Sequence, residues 1–227
     1  MFDLMRAHFD NVAREQFEYD LYEKQWVIVL CDRQNGEIQG FSTLLLLNAC
    51  CQGIPVKAVF SGDTIVHRDY WGEPELAGVW GNFVLSLINS HDGSKFYWFL
   101  ISKGYRTYKF LPVYFHCFYP RHDQPTPSFE SELIATLATS KFGAAYVPEE
   151  GVIRFNQPKD HLRPQFATVS DLRSNDPHVS FFLERNPGYR NGDELACIAE
   201  LSEENLQPIA KRICNRVARQ ATTQFSS

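Results

Sequence analysis

The chain is predicted to be an α/β protein: a mixed, mostly antiparallel central sheet with flanking helices and a C-terminal hairpin. Three observations carry this. Apolar, β-branched runs at 26–31, 38–47 and 56–66 are separated by polar breaks, as in an antiparallel meander. The period then changes, and Leu76, Val79, Trp80, Phe83, Val84 and Leu87 fall on one helical face. A compact apolar run at 96–101 follows. A helix joining two strands is a crossover, so the strands at 56–66 and 96–101 should run parallel.

Taken in order, Phe2, Met5, Phe9, Val12, Ala13 and Phe17 recur at helical steps. They predict one amphipathic helix, continued or broken into a second through Leu21 and Tyr22. The strand at 26–31 (WVIVLC) turns at 32–36, where Asn35-Gly36 is a hairpin signal. The polar stretch 48–55 separates the second strand from the third. Gly104 ends the strand at 96–101 and opens a helix or turn through 105–115. The proline-bearing stretch 120–127 reads as a loop, and Leu133, Ile134 and Leu137 mark a helix at 130–142. Residues 148–174 read as irregular, with a strand at 152–155. Strands at 179–184 and 195–201, separated by NPGYRNGDE, predict the final hairpin. A helix at 203–219 closes the chain before a frayed Ser/Thr/Gln tail.

With 227 residues and 44% hydrophobic composition, one domain over 1–227 is expected, with an inserted irregular region at about 120–174. The formal net charge of -5 argues against general nucleic-acid binding, which depends on neutralising phosphates. No window resembles a membrane span, and the charged first 24 residues lack the apolar stretch of a secretory leader, so a cytoplasmic protein is expected. The six cysteines form no CxxC pair and read as buried free thiols, Cys117 among them within an aromatic segment. No histidine lies at metal-ligand spacing, so no metal is expected. Eighteen Phe and ten Tyr indicate a well-filled core or an apolar tunnel for an acyl or aryl group.

The order helix, three antiparallel strands, helix, parallel strand, helix and final hairpin resembles the GNAT superfamily of N-acetyltransferases. The resemblance covers about 1–120 and the late hairpin. In that family, a loop reading Arg/Gln-x-x-Gly-x-Gly/Ala presents backbone amides to the pyrophosphate of coenzyme A at the start of a helix. The matching stretch here is His67-Arg68-Asp69-Tyr70-Trp71-Gly72-Glu73, with Arg68 in the first position and Trp71 and Glu73 where small residues stand in the family. The resemblance implies an acyltransferase that moves an acyl group from a thioester donor, acyl-CoA or an acyl-carrier protein, to a small-molecule or peptide amine. The bulky residues imply a loop remodelled for a different donor. The alternative is a non-catalytic module of the same fold that binds an acyl ligand or a protein partner.

Acyl transfer to an amine requires a base for the amine proton and an acid for the leaving thiolate. Period two places Ser61, Asp63 and His67 on one strand face, making Asp63 or His67 the candidate base. The alternative is that Asp63 caps a bulge after Gly62 and His67 lies in a solvated turn. The resemblance implies a tyrosine acid after the next strand, where Tyr105 and Tyr108 share a helical face. Arg68, the amides near Gly72, and the basic residues Lys103 and Arg106, with Lys109 beside them, are the candidates for holding the donor's phosphate.

Overall fold

The structure, a computed structural model, describes residues 1–91, 94–156, 159–168 and 175–224, the side chains of 221–224 excepted. The predicted N-terminal helix is broken: α1 (Phe2–His8) gives way to a two-residue strand, β1 (Phe9–Asp10), before α2 (Arg14–Tyr22). Asn11, at φ 57, makes the turn between them. Then come β2 (Trp26–Cys31), β3 (Ile38–Cys51) and β4 (Ile54–Val66). The expected break over 48–55 shrinks to Gln52 and Gly53, both at positive φ (50 and 76), a twist suited to a tight two-residue hairpin.

The helix α3 (Glu75–Asn89) returns the chain, and β5 (Lys95–Ser102) pairs parallel with β4 as predicted. Two short helices, α4 (Tyr105–Tyr108) and α5 (Phe110–Tyr114), lead to α6 (Ser128–Phe142). Residues 148–174 contribute more structure than the sequence suggests. After β6 (Tyr146–Val147), β7 (Val152–Ile153) joins the main sheet, and β8 (His161–Leu162) pairs with β1. A single turn, α7 (Pro164–Ala167), follows. Residues 169–174 of this region lie outside the described residues.

The expected C-terminal hairpin is corrected. Its first strand is a helix, α8 (Pro177–Arg185), and only β9 (Glu194–Glu200) is extended. The Val-Ser-Phe-Phe-Leu pattern alternates like a strand, but Asp176 accepts hydrogen bonds from the N–H groups of His178 and Val179 and starts a helix with Pro177 in its first turn. Val179 and Phe182, three apart, are then buried together. The last helix, α9, spans Pro208–Gln224, and the tail beyond it lies outside the described residues.

The seven-stranded sheet has the order β2-β3-β4-β5-β9-β7-β6, and among the described residues only its β4 and β5 run parallel. Helix α6 covers one face, packing Leu133, Leu137 and Ala138 on Phe60, Phe99 and Ile198. On the other face α3 sets Val84 against Val59, Trp98 and Leu100, and α9 lies against α3. That helix pair is close because glycines face it: a Cβ on Gly78 would stand 2.4 Å from a Val217 methyl, and one on Gly81 would stand 2.5 Å from Cys214 Sγ. Among the cysteines, Cys51, Cys197 and Cys214 are buried, whereas Cys31, Cys50 and Cys117 are exposed, which corrects the expectation of buried thiols throughout.

Gly78→Ala should therefore force α3 and α9 apart and destabilise the chain by about 1–3 kcal/mol, read as a lower urea midpoint at unchanged slope.

Candidate functional site

The parallel ladder between β4 and β5 runs from Val56–Lys95 to Ser61–Leu100 and stops. Beyond it β4 continues to Val66 paired only with β3, while β5 continues to Ser102 paired only with β9. The strands part because β4 carries an extra residue: Ser42 faces Thr64 and Leu44 faces Ser61, so Gly62 and Asp63 together oppose Thr43. A Cβ on Gly62 would lie 2.7 Å from both Thr43 Oγ1 and Lys24 Cε, so this bulge needs glycine.

A cavity of about 620 Å³ opens in the gap and extends beneath α3 and α9. At the gap it is lined by His8, Thr64, Tyr70, Trp71, Gly72, Tyr105 and Arg106. Ser61 Oγ accepts hydrogen bonds from the indoles of Trp80 (3.2 Å) and Trp98 (2.9 Å), which fixes both rings in the cavity wall. Trp71 folds back, donating from Nε1 to the Val66 carbonyl at 2.8 Å, and the Arg106 guanidinium sits 4.4 Å from its ring centroid. Tyr70 anchors the same loop by donating to Asp32 at 2.6 Å. Gly72, at φ 94, has open space where a side chain would stand. No side chain caps the N-terminus of α3, which begins just beyond it. Glu75 in its first turn pairs with Arg216 at 3.0 Å.

The structure separates the sequence-predicted residues into distinct surroundings. Gly72, Tyr105 and Arg106 share the cavity wall. Tyr105 is buried, and its hydroxyl accepts from Arg106 Nε at 3.2 Å. Tyr108 is also buried, but its hydroxyl donates to the Pro120 carbonyl at 2.9 Å among Phe118, Phe181 and Phe182. Burial there raises the Tyr108 pKa well above the usual phenol value. Arg68 is exposed on a single 3-10 turn, and His67 borders a separate polar depression with Asp3, Glu37 and Asp69.

The bulge also corrects the expected shared face. Ser61 faces the cavity, whereas Asp63 has Lys103, Asp160 and Glu194 as its charged neighbours. Burial raises the Asp63 pKa; Lys103 opposes the shift, and Asp160 and Glu194 add to it. Lys103 is ion-paired to Asp160 and lies 3.5 Å from Glu194, which Lys159 approaches at 3.3 Å. Burial acts to lower the Lys103 pKa, but Glu194, Asp160 and Asp63 outweigh it and keep the amine protonated. The expected basic cluster is thus dispersed: Lys103 is buried among carboxylates, Lys109 pairs with Asp176 at 2.5 Å, and Arg106 lies over Trp71.

His8 was not anticipated. It lies on the buried face of α1 with Leu4 and Met5, 6% exposed, and its ring stacks on Phe166 at 4.7 Å. Its Nδ1 lies 3.0 Å from the Leu4 carbonyl, so Nδ1 carries the proton, and Nε2 is buried without a partner. Burial lowers its pKa, favouring the neutral ring. The sequence signal for it was the Leu4, Met5, His8 spacing, which places a histidine on an apolar face. Among the described residues no group of three or more His, Cys, Asp or Glu is arranged to hold a metal ion, and no helix is long and apolar enough to cross a membrane.

No protein-family model matches the chain, and no curated protein matches it. Among solved structures, a mutant of the AtaT toxin bound to the C-terminus of the antitoxin AtaR and to acetyl-CoA is similar at 17% identity and a TM-score of 0.33. The match covers 44% of this chain and 62% of that one, less than two thirds of its length.

Two outcomes follow from the site's charges. Lys103→Ala takes the ion-pair partner from buried Asp160 and leaves Glu194 with Lys159, and should cost about 3–5 kcal/mol in chemical denaturation. The unfolded chain protonates His8 near the ordinary histidine value of about 6.5 while the folded chain resists, so stability should be full above that pH and fall as the pH drops below it. His178, lowered chiefly by burial, acts in the same direction. His8→Gln should therefore flatten part of the stability profile between pH 7.5 and 5; an unaltered slope would show that His8 titrates as in the unfolded chain.

Proposed function

We propose that the chain is a GNAT-like N-acyltransferase that moves an acyl group from a thioester donor, acyl-CoA or an acyl-carrier protein, to an amine. The observation that carries this reading is the parting of β4 from β5 after Ser61 and Leu100, beside the uncapped N-terminus of α3 and at the mouth of the cavity. A thioester lying in the gap has its phosphate-bearing end near Gly72, Arg106 and the first turn of α3. Arg68, exposed on the preceding turn, and Lys103, held among carboxylates, stand off the cavity wall and take no part in holding the phosphate in this scheme.

The chemistry balances with two proton-transfer groups. The amine nitrogen attacks the thioester carbonyl carbon and passes its proton through water in the gap to Asp63, which stands beside the cavity wall rather than on it and whose pKa burial raises. Backbone N–H groups of β4 in the gap stabilise the oxyanion. Collapse breaks the C–S bond, and the Tyr105 hydroxyl, on the cavity wall, protonates the departing thiolate. His67 and Tyr108, the other candidates, take no proton in this scheme, because one borders another depression and the other donates to Pro120. The non-catalytic alternative draws support from Trp71 and Glu73 in the donor loop, where close backbone approach to a phosphate favours small residues.

Release of free thiol from acyl-CoA in the presence of primary amines tests the reading. Tyr105→Phe should lower kcat about 100-fold or more with an unchanged unfolding midpoint. Undiminished turnover in that variant would remove the tyrosine from the scheme, and donor binding without thiol release across a broad amine panel would favour the binding module.

A further inference from the structure

We propose that the cavity receives the hydrocarbon tail of a fatty-acyl group, so that the donor is a medium- to long-chain thioester rather than an acetyl one. This rests on the donor reading above and adds its substrate class. The cavity is long in one direction: its wall follows α3 from Leu76, beside the gap, to Ile88. At 1.5 Å per residue those twelve steps span about 18 Å, the extended length of roughly twelve to fourteen carbons. The far end is fixed by Leu201, which donates its N–H to the Phe96 carbonyl at the opposite end of β5 from the gap, and by Leu206, whose backbone bridges Phe115.

The polarity of the wall changes along that length. Ionisable side chains (His8, Glu73, Arg106) stand at the gap, where a thioester and its phosphate-bearing carrier belong. Beneath the helices the wall is Val84, Leu85, Trp98, Ile209 and Ile213, and among the described residues no charged side chain lines it there. The polar groups that do occur are neutral: burial raises the pKa values of both the Cys214 thiol and the Tyr114 phenol. Ser61 is already engaged by two indole N–H groups. Such a wall penalises a polar occupant and rewards an alkyl one. The rim between α5 and α9 leaves Phe110, Val113 and Ile209 exposed at 37%, 37% and 40%, apolar surface that the tail would cover. An acetyl group would leave nearly all of this volume unfilled.

Isothermal titration of the full chain with acetyl-, octanoyl-, dodecanoyl- and hexadecanoyl-CoA, and with the matching free fatty acids, tests the proposal. Affinity should rise about three- to fourfold per methylene up to roughly twelve carbons and then level off. Ala210→Phe, on the α9 wall, and Ala77→Phe, on the α3 wall, should each move the optimum to a shorter chain by several carbons. Equal affinity for acetyl- and dodecanoyl-CoA would overturn the tail site while leaving the donor reading intact. Fatty acids that bind with the expected length dependence, without any acyl-CoA binding or thiol release, would support the tail site and defeat the donor reading. An unmoved optimum in either variant, provided it folds as the parent does, would also overturn the assignment.

Discussion

Everything distinctive about this molecule depends on a parallel strand pair that stops pairing partway along. Strands β4 and β5 are joined through Ser61 and Leu100 and then diverge, because Gly62 and Asp63 occupy the space that one residue would fill in a regular ladder. Backbone polar groups cannot be left unpaired in a packed interior, so a divergence of this kind must open towards water, a ligand or other protein groups. Here it opens into a cavity. The helix that follows β4 starts at the same point, so an uncapped helix end, a glycine with open space above it and the exposed backbone of β4 all come together there.

The two sides of the sheet treat that opening differently. On the α3 and α9 side the wall is apolar, built from one face of each helix and two indoles held by one hydroxyl. Close approach of the two helices at Gly78 and Gly81 sets how wide the apolar space is. Across the gap Asp63, Asp160 and Glu194 gather around Lys103, with Lys159 at the edge. Buried ions are costly to desolvate, and Asp160 and Glu194 endure here beside Lys103 and Lys159, while burial raises the Asp63 pKa. An apolar space and a charged space thus meet at the gap, which on the proposed reading is where an acyl group passes from its thioester to an amine.

The small sheet of β1 and β8 completes the site from the rim. It pairs Phe9 with Leu162, and Asp10 faces Arg163 at 3.2 Å, which holds α1 and its buried His8 against Phe166 and the gap. Sequence neighbours do not build this corner. Residues near the start of the chain and near 160 meet only because the sheet brings the end of β5 and the start of β9 beside the bulge.

The sequence by itself determined the elements whose apolar pattern is long and local. Strands β2 to β5, the crossover helix α3, helix α6 and the parallel pairing of β4 with β5 were all legible, because a period of two or of 3.6 over many residues leaves few alternatives. It also singled out Gly72 and Tyr105, which line one cavity. Tertiary structure alone decided what depended on distant partners. An N-cap at Asp176 turned an alternating Val-Ser-Phe-Phe-Leu run into a helix. The two-residue strands β6, β7 and β8 exist only through their partners, since so few residues carry no periodicity of their own. One extra residue in β4 moved Asp63 away from the face of Ser61, and no period-two count can register an insertion that only the partner strand reveals. Tyr105 and Tyr108 share a helical turn, yet one meets the cavity and the other Pro120, because packing rather than helical spacing sets where a hydroxyl ends.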